Sequence, residues 1–558
     1  MKLPLSSLRI IFTLLVAGVG LYPSRSLADH QPDSDKLGTI HFTVNGRPEA
    51  QAHVVRGVKL VHHMMYPEAD REFAAALAAD PACVLAYWGR AMTLIHPLWP
   101  DAPTEAERIL GAGQIRDGLA CPTATARERA YLETLDRYFA ASVPGDHAAR
   151  LKVLDVAWNE LAEKYPDDLD AVAFSALYHL APARFVAKDK SHRIQLEAAA
   201  RLQKVSAVIP DHPGAQHYKI HAYDFPLLAD RALEVCDTYT GIAPDVPHAL
   251  HMPTHIFTRR GLWDKSIEFN LRSAEAARKL TLSSGALTSH YPHALDYLAY
   301  AYLQRGQYHE ADAVRRQLAA EKGPYASVNT TAMAFAFAAI PARCALERQA
   351  WREAAELPLH QPVEFAWGKS YLNCDSIVHF ARAIGAARSG QLDAARAEIA
   401  GLEDIRRELT GAGRVSYWTA QAETQILAAR AWVEFRPDQP DPAIALLRRA
   451  VELEANVDKE AVTPGEVLPA GDLLGDMLLE AGRPGEALAA FEAVLAASPN
   501  RLNTLYGAGF AAERAGDPTK ALHYYELLVQ VAVASDPGIS RVDHARQFLA
   551  QSRLAASR

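Results

Sequence analysis

The chain has 558 residues, 49% of them hydrophobic and 22% charged, which excludes a disordered or collagen-like polypeptide. Lys+Arg is 58 against 66 Asp+Glu, for a net charge of −8, so the electrostatic footprint of a general nucleic-acid binder is missing. The anomaly lies in 22 histidines that are unevenly spread.

Residues 1–28 read as a cleavable secretory signal. Lys2 and Arg9 give a positive start, Ile10 to Leu21 is an apolar run, and Ser26 and Ala28 are small residues before Asp29. A membrane span needs about 20 apolar residues, and neither this run nor any later segment has them. The expectation is an exported, periplasmic or secreted protein without stable membrane insertion. Cys83, Cys121, Cys236, Cys344 and Cys374 are odd in number and contain no CxxC pair, which argues against a disulfide framework or a zinc ribbon. Whether Cys83 and Cys121 pair stays open at this level.

The rest of the chain reads as helical. His41 to Val44 is the one short strand candidate. Near the start, Gly57, Leu60, Ala69, Phe73, Ala76 and Pro81 fall at the spacings of a helix-hairpin repeat. Near the end, a shift of 34 residues superposes Gly475 on Gly509, Gly482 on Gly516, Ala487 on Ala521 and Phe491 on Tyr525. That period, with Gly, Ala and an aromatic in fixed places, is the tetratricopeptide pattern. Gly261 and Gly306 fall in equivalent hairpin turns 45 residues apart, so the array carries insertions. Loops are expected at Pro97 to Pro103, Ala181 to Ser191, Leu280 to Ser289 and Val457 to Pro469. The predicted fold is an all-α tetratricopeptide solenoid with a right-handed superhelix. Residues 29–345 form an N-terminal solenoid carrying the His-rich region, and 346–558 form C-terminal repeats, clearest at 471–530. Stability in such an array is mainly a nearest-neighbour sum, so removing the repeats after about residue 468 should leave the rest folded.

Longer strings carry a closer likeness: HFTVNGRPEAQAHVVRGVKLVHHMMYPEA (41–69), HPGAQHYKIHAYDFP (212–226) and HALHMPTHIFTRRGLWDKSIEFN (248–270). With them the chain resembles a family of exported bacterial tetratricopeptide-repeat proteins, largely uncharacterised. The resemblance spans nearly the whole mature chain and implies the fold and export. It implies no reaction. Where that family has a small polar residue and two aromatics, this chain has His63, Met64 and Met65.

Six histidines lie between His212 and His255, and His290 and His293 follow. The pairs His217/His221 and His251/His255 have the i,i+4 spacing that places two rings on one helix face. Imidazole is a common ligand for zinc and copper, so His217, His221, His251, His255 and His293 are the candidate metal ligands. Pro253 stands between the second pair, and because proline suits a first helical position, His255 is expected in a first turn with His251 just outside it. Asp224 and Asp296 are candidates for catalytic acid–base, ligand or orienting roles. His62, His96, Tyr218 and Arg259 are further candidates. Met64, Met65 and Met252 stand beside histidines, and thioether with imidazole favours copper over zinc. HExxH, GxSxG, the P-loop and the dinucleotide fingerprint are all missing.

Two function classes follow. One is a protein whose His-rich site holds a transition metal, copper or zinc, extending to a metalloenzyme acting on a small molecule. The other is a non-enzymatic adaptor that binds a protein or peptide in its groove.

Overall fold

The computed structural model describes residues 36–99, 101–140, 146–185, 189–411 and 417–556. The expected signal at 1–28 lies outside them. From Lys36 to Arg558 the chain is one compact unit. The described residues hold 25 α-helices and three short 3₁₀ helices, and consecutive helices pack against each other along the whole chain. The architecture is an all-α, tetratricopeptide-type solenoid of helical hairpins. Among the described residues no helix is long and apolar enough to cross a membrane.

Local sequence sets the helix ends. Proline opens the Pro48–His62, Pro213–Tyr223, Pro247–Arg259, Pro484–Ala497 and Pro518–Val531 helices, where its missing N–H costs nothing. Thr104 with Glu107, and Thr125 with Glu128, form reciprocal capping boxes. Gly261 and Gly306 close their helices at φ +62° and +68°, as the shared hairpin turn requires.

Hairpins are locked by an aromatic between two glycines. A Cβ on Gly57 or Gly89 would stand 2.7 or 2.3 Å from the Phe73 ring. Gly475 and Gly507 flank Phe491 in the same way, at 2.4 and 2.5 Å. In each case one glycine lies within the hairpin and the other on the next, so a single ring fills both interfaces.

The segment 41–44 is not a strand. Phe42 and Val44 are buried while His41 and Thr43 are exposed, so it alternates as a strand would, but among the described residues no second strand pairs with it. Instead it lies over helices, with Phe42 against Trp88 and Tyr131. The helix Trp263–Ser284 runs on through the first half of the loop expected from Leu280. All five cysteines are free thiols.

The apolar core has two large blocks, Leu37 to Phe257 and Ala274 to Leu549. The array also folds back on itself. The Trp263 indole donates to Asn500 O at 2.7 Å. Arg501, 1% exposed, donates to Tyr300 Oη at 2.5 Å and Glu347 Oε1 at 2.7 Å. The last repeats are therefore not an independent stack. Removing them would strand the buried Glu347, contrary to the nearest-neighbour expectation.

Candidate metal centre

The histidines cluster at the seam between the two cores, on the helices Pro213–Tyr223, Pro247–Arg259 and His290–Gln304. Contrary to the expectation from Pro253, His251 and His255 lie within a single helix, with the proline inside it. That helix is buried from Pro247 to Thr258, and its packing outweighs the one backbone bond the proline removes.

The five expected ligands do not converge on one point. They divide into two triads, each completed by a third ring. His217 and His221 join His248, and His251 and His255 join His293, with the ligand nitrogens of each triad within 4.8 Å of one another. His221 and His255 approach across the gap with ring centroids 6.3 Å apart.

Hydrogen bonds fix which nitrogens face inward. Asn270 Nδ2 donates to Ser266 O at 2.8 Å, so its Oδ1 is turned to His251 and accepts from Nδ1–H at 2.9 Å. The Nε2 of His251 is therefore a bare lone pair. It faces His255 Nε2 at 3.0 Å. His255 Nδ1 lies 3.0 Å from Asp224 Oδ2. A neutral His255 has one proton. On Nδ1 it leaves two lone pairs opposed at Nε2, and on Nε2 it leaves a lone pair against a carboxylate. The first arrangement is relieved by a cation between the two Nε2 atoms; the second makes His255 Nε2–H a hydrogen bond to His251, with the Tyr297 hydroxyl 3.3 Å from Nδ1. In the first triad, His217 Nδ1–H donates at 2.6 Å to His62 O, the last carbonyl of the helix Pro48–His62, and its bare Nε2 faces His221 Nε2 at 3.2 Å. Two imidazoles on a tetrahedral ion with bonds of about 2.0–2.1 Å have nitrogens about 3.3 Å apart, close to both separations.

Burial keeps these rings neutral, as ligation requires. It pushes His217 down to about 3 and His290 to about 4. Burial, then the neighbouring imidazoles, hold His221, His248, His251 and His293 well below the ordinary value of 6.5. Burial also lowers His255, against the opposing pull of Asp224.

Asp224 takes an orienting place. Its Oδ1 accepts from Arg259 Nε at 2.8 Å, and its Oδ2 meets His255 and, at 3.3 Å, Lys459 Nζ. Burial would raise this carboxyl, but Lys459, Arg259 and His255 hold it well below the usual range. Arg259 is thereby consumed and offers no free anion site. Asp296 turns to the buried guanidinium of Arg343, which also holds Thr463 Oγ1 and Gly465 O. It braces the loop 457–469 rather than meeting an imidazole.

His62 and Tyr218 belong to a third cluster. His62 Nε2 donates to Asp170 Oδ1 at 2.9 Å, and Tyr218 Oη lies 3.0 Å from His62 Nδ1. His212 caps its helix, accepting Ala215 N–H at Nδ1, so its Nε2 carries the proton and points at Asp170 from 3.4 Å. His62 Nε2 is committed to the carboxylate, while His212 Nε2 stands beside the same oxygen without a hydrogen-bond partner; His62, Asp170 and His212 lie within 4.8 Å of one another and hold three helices together as a buried brace. His96 commits Nδ1 to Asp101 at 2.7 Å and Nε2 to Thr93 O at 3.1 Å, and its ring packs at a tilt against Trp99.

A chamber of about 40 Å³ touches both triads, lined by His221, His248, Met252, His255 and His293. A cleft of about 430 Å³ opens beside it, with His221, Asp224, Arg184, Phe225, Tyr417 and Lys459 in its wall. Sequence reasoning missed His248 as the third ring of the first triad, Asn270 as the group that sets the His251 proton, and Lys459. The only sequence signal for Lys459 was its place in a long loop, and such loops are usually functional.

No family model matches the chain, and no curated protein sequence matches it. Among solved structures, the human IFIT1 dimer with m7Gppp-AAAA matches at 12% identity and TM-score 0.36, over 81% of this chain and 90% of that one. The human IFIT1 dimer with PPP-AAAA matches at 12% and 0.37, over 88% and 91%. Yeast Tom70 matches at 11% and 0.27, over 91% and 96%. Likeness this distant carries no argument about the site.

Proposed function

We propose that this is an exported helical-repeat protein that binds a transition metal, copper or zinc, through its buried histidines. The observation that carries the reading is the approach of His251 Nε2 and His255 Nε2 to 3.0 Å, with His293 completing the triad and both Nδ1 positions engaged by oxygens. Metal-ligating histidines have this environment, with the outer nitrogen tied to a carboxylate or amide oxygen. Export rests on the leader pattern at 1–28 alone.

The cleft of about 430 Å³ supports an extension to small-molecule chemistry, since His221 and Asp224 stand in its wall. An adaptor role would use a different surface, because His217, His248, His251 and His255 are buried.

The test is metal content. The protein is purified without a His tag, assayed by elemental analysis, and titrated with copper and zinc at pH 7.5. The reading predicts bound copper or zinc, and its loss from the second triad in His251→Gln/His255→Gln with helix content unchanged. Absence of any transition metal, together with no stabilisation by either ion, would overturn it.

A further inference from the structure

Resting on that reading, we propose that the centre takes two ions per chain and that they are cuprous. The count follows from the division of the ligands. His217, His221 and His248 form one set and His251, His255 and His293 another, with no residue shared. Each set has its own anchor, His217 on the His62 carbonyl and His251 and His255 on Asn270 and Asp224. Both open onto the same small chamber, so neither can fill without the other being close.

The charge follows from the surroundings. All six donors are imidazoles, which ligate without bringing negative charge. Four carboxylates line the cleft, Asp189, Asp224, Asp458 and Glu460, but of these Glu460 alone also lines the chamber, and both Asp224 and Glu460 are already paired. Asp224 meets Arg259 and Lys459, and Glu460 meets Arg184 at 2.8 Å. Among the described residues, the one carboxylate that lines the chamber itself is thus already neutralised by Arg184. Two divalent ions would bring four positive charges into a buried chamber with no anionic protein ligand, where uncompensated charge is expensive. Two cuprous ions bring half as many. Imidazole and thioether suit copper, and Met252, fully buried, lines the chamber.

The experiment is an anaerobic titration of the full-length, tag-free apoprotein with Cu(I), in competition with a chromogenic cuprous chelator, and a parallel titration with Zn(II). The inference predicts two Cu(I) withdrawn per chain and zinc at least tenfold weaker. It predicts one Cu(I) in His217→Gln/His221→Gln and one in His251→Gln/His255→Gln. A wild-type endpoint of one Cu(I) overturns the two-ion count and leaves the metal-binding reading standing. Zinc binding two per chain as tightly as copper overturns the cuprous assignment. Failure of both metals to bind overturns the underlying reading itself. The wild-type endpoints decide these outcomes even where a variant folds poorly.

Discussion

His251 and His255 face each other nitrogen to nitrogen at 3.0 Å inside one helix, and each has its other nitrogen engaged by an oxygen. With a lone pair at His251 Nε2, the contact is either a hydrogen bond from His255 Nε2–H or two lone pairs turned to one point, as two ligands of one ion would be. The nearby carboxylate of Asp224 holds one ring in place and is itself held by Arg259 and Lys459.

Replacing Asp224 with Asn removes the charge that orients His255 while keeping its shape. Loss of such an outer partner lowers metal affinity about 10–100-fold. Competition titration of Asp224→Asn against wild type measures this. An unchanged affinity would make the Asp224–His255 contact incidental.

The brace beneath the first triad depends on a missing side chain. A Cβ on Gly214 would stand 2.3 Å from His62 Nδ1, and His62 is fixed by Asp170 and Tyr218. Gly214→Ala should cost about 1–3 kcal/mol of stability, as overpacking does. It should also weaken metal binding, because the His62 carbonyl holds His217. Chemical denaturation and metal titration of the same variant read the two effects separately.

Acid should unfold the apoprotein early. Burial lowers His62 and His290 to about 4 and His63 and His217 to about 3, while in the unfolded chain they return to 6.5. Between those values the unfolded chain binds more protons, so stability is full above about 6.5 and is lost as pH falls toward 4. The slope is about 1.4 kcal/mol per pH unit for each proton withheld. Thermal melts of apoprotein from pH 8 to pH 4 should show the melting temperature dropping steeply below 6.5. A flat profile would mean these rings are not buried neutral.

The C-terminal repeats should be needed by the rest. Arg501→Met leaves Glu347 without its buried guanidinium, and breaking such a pair costs about 3–5 kcal/mol. Truncation after Leu468 should do at least as much, lowering the melting temperature of what remains. A truncated chain as stable as the whole would restore the independent-repeat picture.

Much of the fold was legible because repeats write their packing into short spacings. Gly57 with Phe73, and Gly475 with Phe491, announce the hairpins that the structure contains. The strand candidate at 41–44 misled, because a lone extended segment laid over helices buries every second residue just as a strand does. Pro253 misled in the other direction, because helix propensity is outweighed where a whole helix is buried. The site was half legible. The i,i+4 spacing pointed to rings that the structure brings together, but their division into two triads depends on how three helices meet. Asn270 and Lys459, which set protons and charge around His251 and Asp224, come from elements with no sequence link to the histidines.

The central claim is that imidazole nitrogens hold the ion, and X-ray absorption at the metal edge of the copper- or zinc-loaded protein tests it most directly. The account predicts a first shell of imidazole nitrogens at about 2.0–2.1 Å, with the outer-ring scattering that histidine gives. A bound metal whose first shell lacks imidazole would contradict it.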